Sequence, residues 1–171
     1  MCFVRALAGF ACNLAVAANM KFQYDDGGRA ATSYNGGVGD CVTRAIAIAT
    51  GKPYQEVYAV INTLAVGERL TKHRRKRGRS SARNGVYKLT SRRYLESLGL
   101  LFTATMGIGT GCQVHLRDGE LPMGTLIVSV SRHLVAVIDG VIHDTHNPSR
   151  DGTRCVYGYW RVGPPSPILP S

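Results

Sequence analysis

Apolar positions change their spacing midway along this chain. The segment CVTRAIAIAT at 41–50 runs without a breaker to Gly51, and its Ala and Ile content suits a buried helix. Pro53 fits the first turn of a second helix at 54–65, where Val57, Val60, Ile61 and Leu64 share a stripe. A third helix is predicted over 86–98, with Leu89, Tyr94, Leu95 and Leu98 roughly on one face and Gly99 as its stop. Beyond it the apolar runs shorten to strand length, at 100–105, 112–116, 125–130, 134–138, 141–144 and 154–161. Asp139-Gly140 between two apolar runs is a two-residue hairpin signal. Residues 20–40 read as an extended entry followed by a glycine loop. Helices first and an antiparallel sheet second define an α+β fold, with N-terminal helices packed on a C-terminal antiparallel sheet.

The length of 171 residues allows one domain with a real core. The net charge of +10 is uneven: residues 69–93 hold 11 of the 21 Lys and Arg and no acid, while the rest of the chain carries 10 basic against 11 acidic residues. The domain is therefore close to neutral and carries one basic insertion. Its stretch 69–85 is neither periodic nor apolar enough to pack and is expected to be a mobile loop. Residues 1–19 read either as a weak secretory leader or as an extension before a start at Met20; the second is preferred, and the domain is taken as 20–162. Residues 163–171 hold four prolines and are expected to be a disordered tail. No stretch is long and uncharged enough to span a membrane once Arg5 is counted. The five cysteines are odd in number and match neither a disulfide scaffold nor a paired CxxC zinc site. That pattern favours a reducing, cytoplasmic setting, with Cys112 and Cys155 as packing residues.

The candidate chemistry centres on Cys41. It follows the glycine-rich run Asn35 to Asp40 and opens the first helix, where the helix dipole stabilises a thiolate. His133 stands at the head of the hairpin centred on Asp139-Gly140. That centre pairs Ile138 with Val141 and Val135 with Asp144, and places His133, Val135, Val137, Ile142, Asp144 and His146 on one face. Asp144 is then diagonal to His133, within reach of an imidazole-to-carboxylate hydrogen bond. Asn147 and His146 are alternative orienting groups. A helix N-terminus packed over this face brings Cys41 to His133. The Asn35 amide and the Cys41 backbone N–H are candidate donors to an oxyanion.

These residues resemble the papain-like cysteine peptidase superfamily, most closely its small bacterial branch, which includes the bacteriocin-leader-processing peptidases. The resemblance rests on Asn35…Gly39-Asp40-Cys41 opening a helix, on His133-Leu134-Val135-Ala136-Val137-Ile138-Asp139-Gly140, and on Val141-Ile142-His143-Asp144. It implies a papain-like fold in which Cys41 is the nucleophile, His133 the base, Asp144 its orienting group and Asn35 an oxyanion donor, with no cofactor. It also implies a peptide or protein substrate. The chain departs from the superfamily in having Asn at the oxyanion position and no aromatic residue directly after Cys41. Most of residues 20–161 also resembles uncharacterised phage and prophage proteins, with Met20-Lys21-Phe22-Gln23-Tyr24-Asp25-Asp26-Gly27-Gly28-Arg29-Ala30-Ala31 similar to their N-terminus, which would place the protein in a host cytoplasm.

Two other readings compete. Lys72, Arg74, Arg75, Lys76, Arg77 and Arg79 form a basic run that would neutralise phosphates without reading sequence, making the chain a nucleic-acid-binding or protein-interaction module. The same run would equally recruit an acidic protein or cover the cleft. His143-Asp144-Thr145-His146 with His133 offers metal ligands, but on a strand His143 points away from Asp144 and His146, and no helical HExxH is present.

Overall fold

The computed structural model describes residues 19–34, 39–69, 71 and 78–163. Among the described residues three α-helices, α1 (Cys41–Thr50), α2 (Tyr54–Val66) and α3 (Lys88–Ser97), pack on one six-stranded sheet. The strands are β1 (Lys21–Tyr24), β2 (Phe102–Ala104), β3 (Thr125–Val130), β4 (His133–Ile138), β5 (Val141–Asp144) and β6 (Val156–Val162), in spatial order β1-β5-β4-β3-β6-β2. The fold is α+β, as the sequence predicts. The sheet is mixed rather than antiparallel throughout, because β1 from the entry segment pairs in parallel with β5. The sequence reads this segment only as an extended entry, and its four residues are exposed, so no buried face marks it as a sheet strand.

Alternation along the central strands builds two cores. Ile127, Leu134, Ala136 and Trp160 face the helices and meet Ile46, Val57, Ile61 and Leu95. Leu126, Val128, Val135, Val137 and Ile142 face the other way, against Met20, Leu116 and Val156. The Asp139-Gly140 hairpin has the expected register, Ile138 opposite Val141 and Val137 opposite Ile142. The helix, however, does not cover the face that carries Val135, Val137 and Ile142. It covers the opposite one, and the site forms at the end of the sheet.

Two other expectations change. No strand forms over 112–116; only a single bridge joins His115 to Cys155, and Cys112 is disulfide-bonded to Cys155. The two cysteines are thus a cross-link rather than separate packing residues. Sequence alone does not assign such a pairing, because the partners lie 43 residues apart. The described part of the basic segment is tied down instead of loose. Ser80 and Ala82 are buried; the Ser80 N–H donates to Glu68 at 2.8 Å and the Ala82 N–H to Asn62 at 3.0 Å. Ser81 and Gly85 close a bridged turn. Leu70 and residues 72–77, with the other basic positions of the run, lie outside the described residues, as do 1–18, Asn35 to Val38 and 164–171.

Candidate active site

The first turn of α1 carries the site. Asp40 is its N-cap residue, yet its side chain makes no capping bond. The carboxylate, fully buried, turns to Arg44 one helical turn on and accepts a 2.7 Å hydrogen bond from the Tyr54 hydroxyl. Burial, then the bond to Asp40, holds the Tyr54 hydroxyl protonated far above its ordinary range. Tyr54 belongs to an aromatic group with Tyr58 and Tyr34, whose rings stack at 4.3 Å, and this group fixes the chain entering the glycine loop.

Arg44 is buried and spans two carboxylates, bonding Asp40 on its own helix and Asp144 Oδ1 at 2.9 Å. Asp144 ends β5, and its other oxygen meets His133 Nε2 at 2.5 Å. The Thr145 N–H adds a 2.7 Å bond to Oδ1. Burial raises the Asp144 pKa, but the bonds to His133 and Arg44 outweigh it and hold the carboxyl below its usual range. His133 opens β4, straight after the two-residue turn Ser131-Arg132. With Nε2 held by Asp144, Nδ1 is the nitrogen left for the Cys41 thiol, which lies near enough for the two groups to shift each other's ionisation.

The electrostatics follow from these contacts. Burial opposes a charged imidazole, yet the bonds to Asp144 and Cys41 prevail and lift the His133 pKa to about 9. Burial likewise opposes a thiolate at Cys41; the His133 bond and charge, the Leu134 N–H and the Arg44 charge together bring that thiol below its ordinary value. The shifts are mutual: each ionised partner favours the other. Cys41 is half-buried, and it is the one free cysteine among the described residues.

Cys41, His133 and Asp144 are therefore brought together as the sequence suggested. Asn35 lies outside the described residues. Of the alternative orienting groups, Asn147 accepts from the Ser149 N–H at 3.0 Å, and the His146 ring stands 5.1 Å from that of His133 without replacing Asp144. Sequence reasoning missed Arg44, Asp40 and Tyr54. The available signal was Arg44 inside a largely apolar helix, four residues after the N-cap Asp40, a spacing that fits a buried ion pair.

Cys41 and His133 line a cleft of about 740 Å³. One wall comes from Asn84, Gly85 and Val86, tied to α1 by the Thr43 hydroxyl, which donates to the Ala82 carbonyl at 2.7 Å. The other includes Ser131, Arg132, His146 and Tyr157. Ligand atoms of His133, Asp144 and His146 fall within 4.8 Å of one another, close enough to raise the metal reading again. Arg44 opposes it: its guanidinium already occupies Asp144 Oδ1 and would repel a divalent ion. Arg79 is exposed, and the other residues of the predicted basic run are outside the described set. No helix among the described residues is long and apolar enough to cross a membrane. Comparison with protein-family models, with curated proteins and with solved structures gives no significant match.

Proposed function

We propose that this protein is a thiol hydrolase of papain-like type, acting on a peptide, isopeptide or amide bond. The observation that carries the reading is that Cys41 and His133 line one cleft, with His133 Nε2 held at 2.5 Å by the buried Asp144. In this account Cys41 and His133 rest as a thiolate–imidazolium pair. The sulfur attacks the carbonyl carbon, and the negative charge moves to the oxygen. The Cys41 backbone N–H at the start of α1 is its donor, since helix N-termini leave such groups unsatisfied, and Asn35 is the second donor proposed. His133 then gives its proton to the leaving amine as the C–N bond breaks. Water, deprotonated by the same ring, clears the thioester and restores the pair. Asp144 keeps the ring turned toward the sulfur, and Arg44 keeps Asp144 ionised.

The reading predicts new peptide termini when the protein is incubated with a proteome-derived peptide library, none of them produced by Cys41→Ala. Libraries that remain identical for the two proteins would overturn it as a peptide hydrolase. Activity is expected to survive a chelator, as no step uses a metal.

A further inference from the structure

The cleft around Cys41 is lined by Lys88, Arg132 and His146 and, among the described residues, by no Asp or Glu. Arg44 also reaches it, but that charge is spent on Asp40 and Asp144. Lys88 sits 5.5 Å over the Tyr157 ring, another lining residue, which holds the ammonium at the wall without neutralising it. Arg132 is exposed and takes φ 57 in the turn before His133. That conformation suits Gly or Asn, so an arginine there is strained, and such strain concentrates at functional sites. The turn is fixed as well, because Arg154 donates to the Ser131 carbonyl. The facing wall at 84–88 belongs to the described stretch 78–93, which carries Arg79, Arg83, Lys88, Arg92 and Arg93 and no acid. A cleft lined by charge of one sign focuses the field on whatever enters.

We infer that the cleft selects acidic peptides, with Arg132 and Lys88 as the residues that read a carboxylate beside the scissile bond. This rests on the thiol-hydrolase reading and adds the substrate class to it. The test uses acetyl-tripeptide vinyl sulfones that differ only in the residue joined to the warhead, Glu, Gln or Lys. The Cys41 thiolate adds to the vinyl carbon joined to that residue, β to the sulfone, and His133 gives its proton to the carbon that bears the sulfonyl group. Iodoacetamide labelling of the wild type runs alongside as a charge-neutral control.

The Glu probe is expected to react about fivefold faster than Gln, as for an exposed ion pair, and the Lys probe slowest. The Glu:Gln ratio should shrink in high salt and fall to one in Arg132→Gly/Lys88→Gln. Arg132→Gly alone should keep or raise the melting temperature, because glycine suits that φ, which separates recognition from a structural role. A wild-type ratio of one, or a ratio unchanged in the double variant, would overturn the inference while fast iodoacetamide labelling leaves the hydrolase reading standing. A ratio of one together with blocking of labelling by oligo-dT would assign the charge to nucleic acid instead. Iodoacetamide labelling of Cys41 no faster than an ordinary thiol would remove both.

Discussion

Arg44 is where the charges of this site converge. Its guanidinium lies between the buried Asp40 and Asp144 and bonds both, while Arg29 stands 3.8 Å from Asp40 as a more distant partner. Removing one member of such a set leaves buried charge uncompensated, at a cost of about 3–5 kcal/mol. Arg44→Leu is therefore expected to lower the unfolding free energy by that amount in urea and to loosen the His133 ring. Asp144→Asn is gentler, keeping an acceptor for the ring while removing the charge. The His133 pKa should then drop from about 9 toward its ordinary value, readable by NMR of the ring. The sign also fixes the stability profile. A raised histidine pKa gives stability that is complete below the ordinary value and lost as pH rises through about 9, a loss that His133→Ala should lack. Cys41, His133 and Asp144 were legible in the sequence because the Asp139-Gly140 turn sets the register that aligns the last two. Arg44 is signalled only by its spacing from Asp40; its second partner, a carboxylate 100 residues away, leaves no mark in the sequence.

At the scale of elements, the strands with clean alternation or continuous apolar runs were readable, and α1 matches its predicted bounds at both ends. What could not be read was the face the helix would choose. Both faces of β3 and β4 are apolar, so the pattern does not say which side α1 covers. The edge strands were harder still. β1 has no buried position, and 112–116 is apolar enough for a strand but makes only one bridge before the disulfide takes over. β2 pairs with β6 over three residues and comes very close to it at Gly158. A Cβ there would stand 2.3 Å from the Phe102 ring and 2.5 Å from the Thr103 carbonyl oxygen, at φ +152. Gly158→Ala is expected to separate β2 from β6 and cost about 2–3 kcal/mol, seen as a lowered melting temperature and faster amide exchange at 102–104. The packing of Phe102 on Trp160, with ring centres 4.6 Å apart, would be lost with it.

For the whole molecule, the Cys112–Cys155 cross-link and the Cys41 pair are separable. Closing a 43-residue loop is worth about 4 kcal/mol in the chain-entropy account. Cys112→Ser/Cys155→Ser should lose much of that stability and leave the pH dependence of Cys41 labelling as it is; a shift in that dependence would mean that the two are coupled. Composition located the charge in one segment but not its neighbour. The described end of that segment, from Asn84 to Lys88, forms a wall of the cleft, and only the fold brings it there. The account as a whole depends on Cys41 being ionised by His133. The direct test is alkylation of Cys41 by iodoacetamide across pH, read by mass spectrometry for wild type and His133→Ala. A labelling midpoint well below that of an ordinary thiol, moved upward when His133 is removed, is the predicted result. A midpoint at the ordinary value and indifferent to His133 would contradict the account.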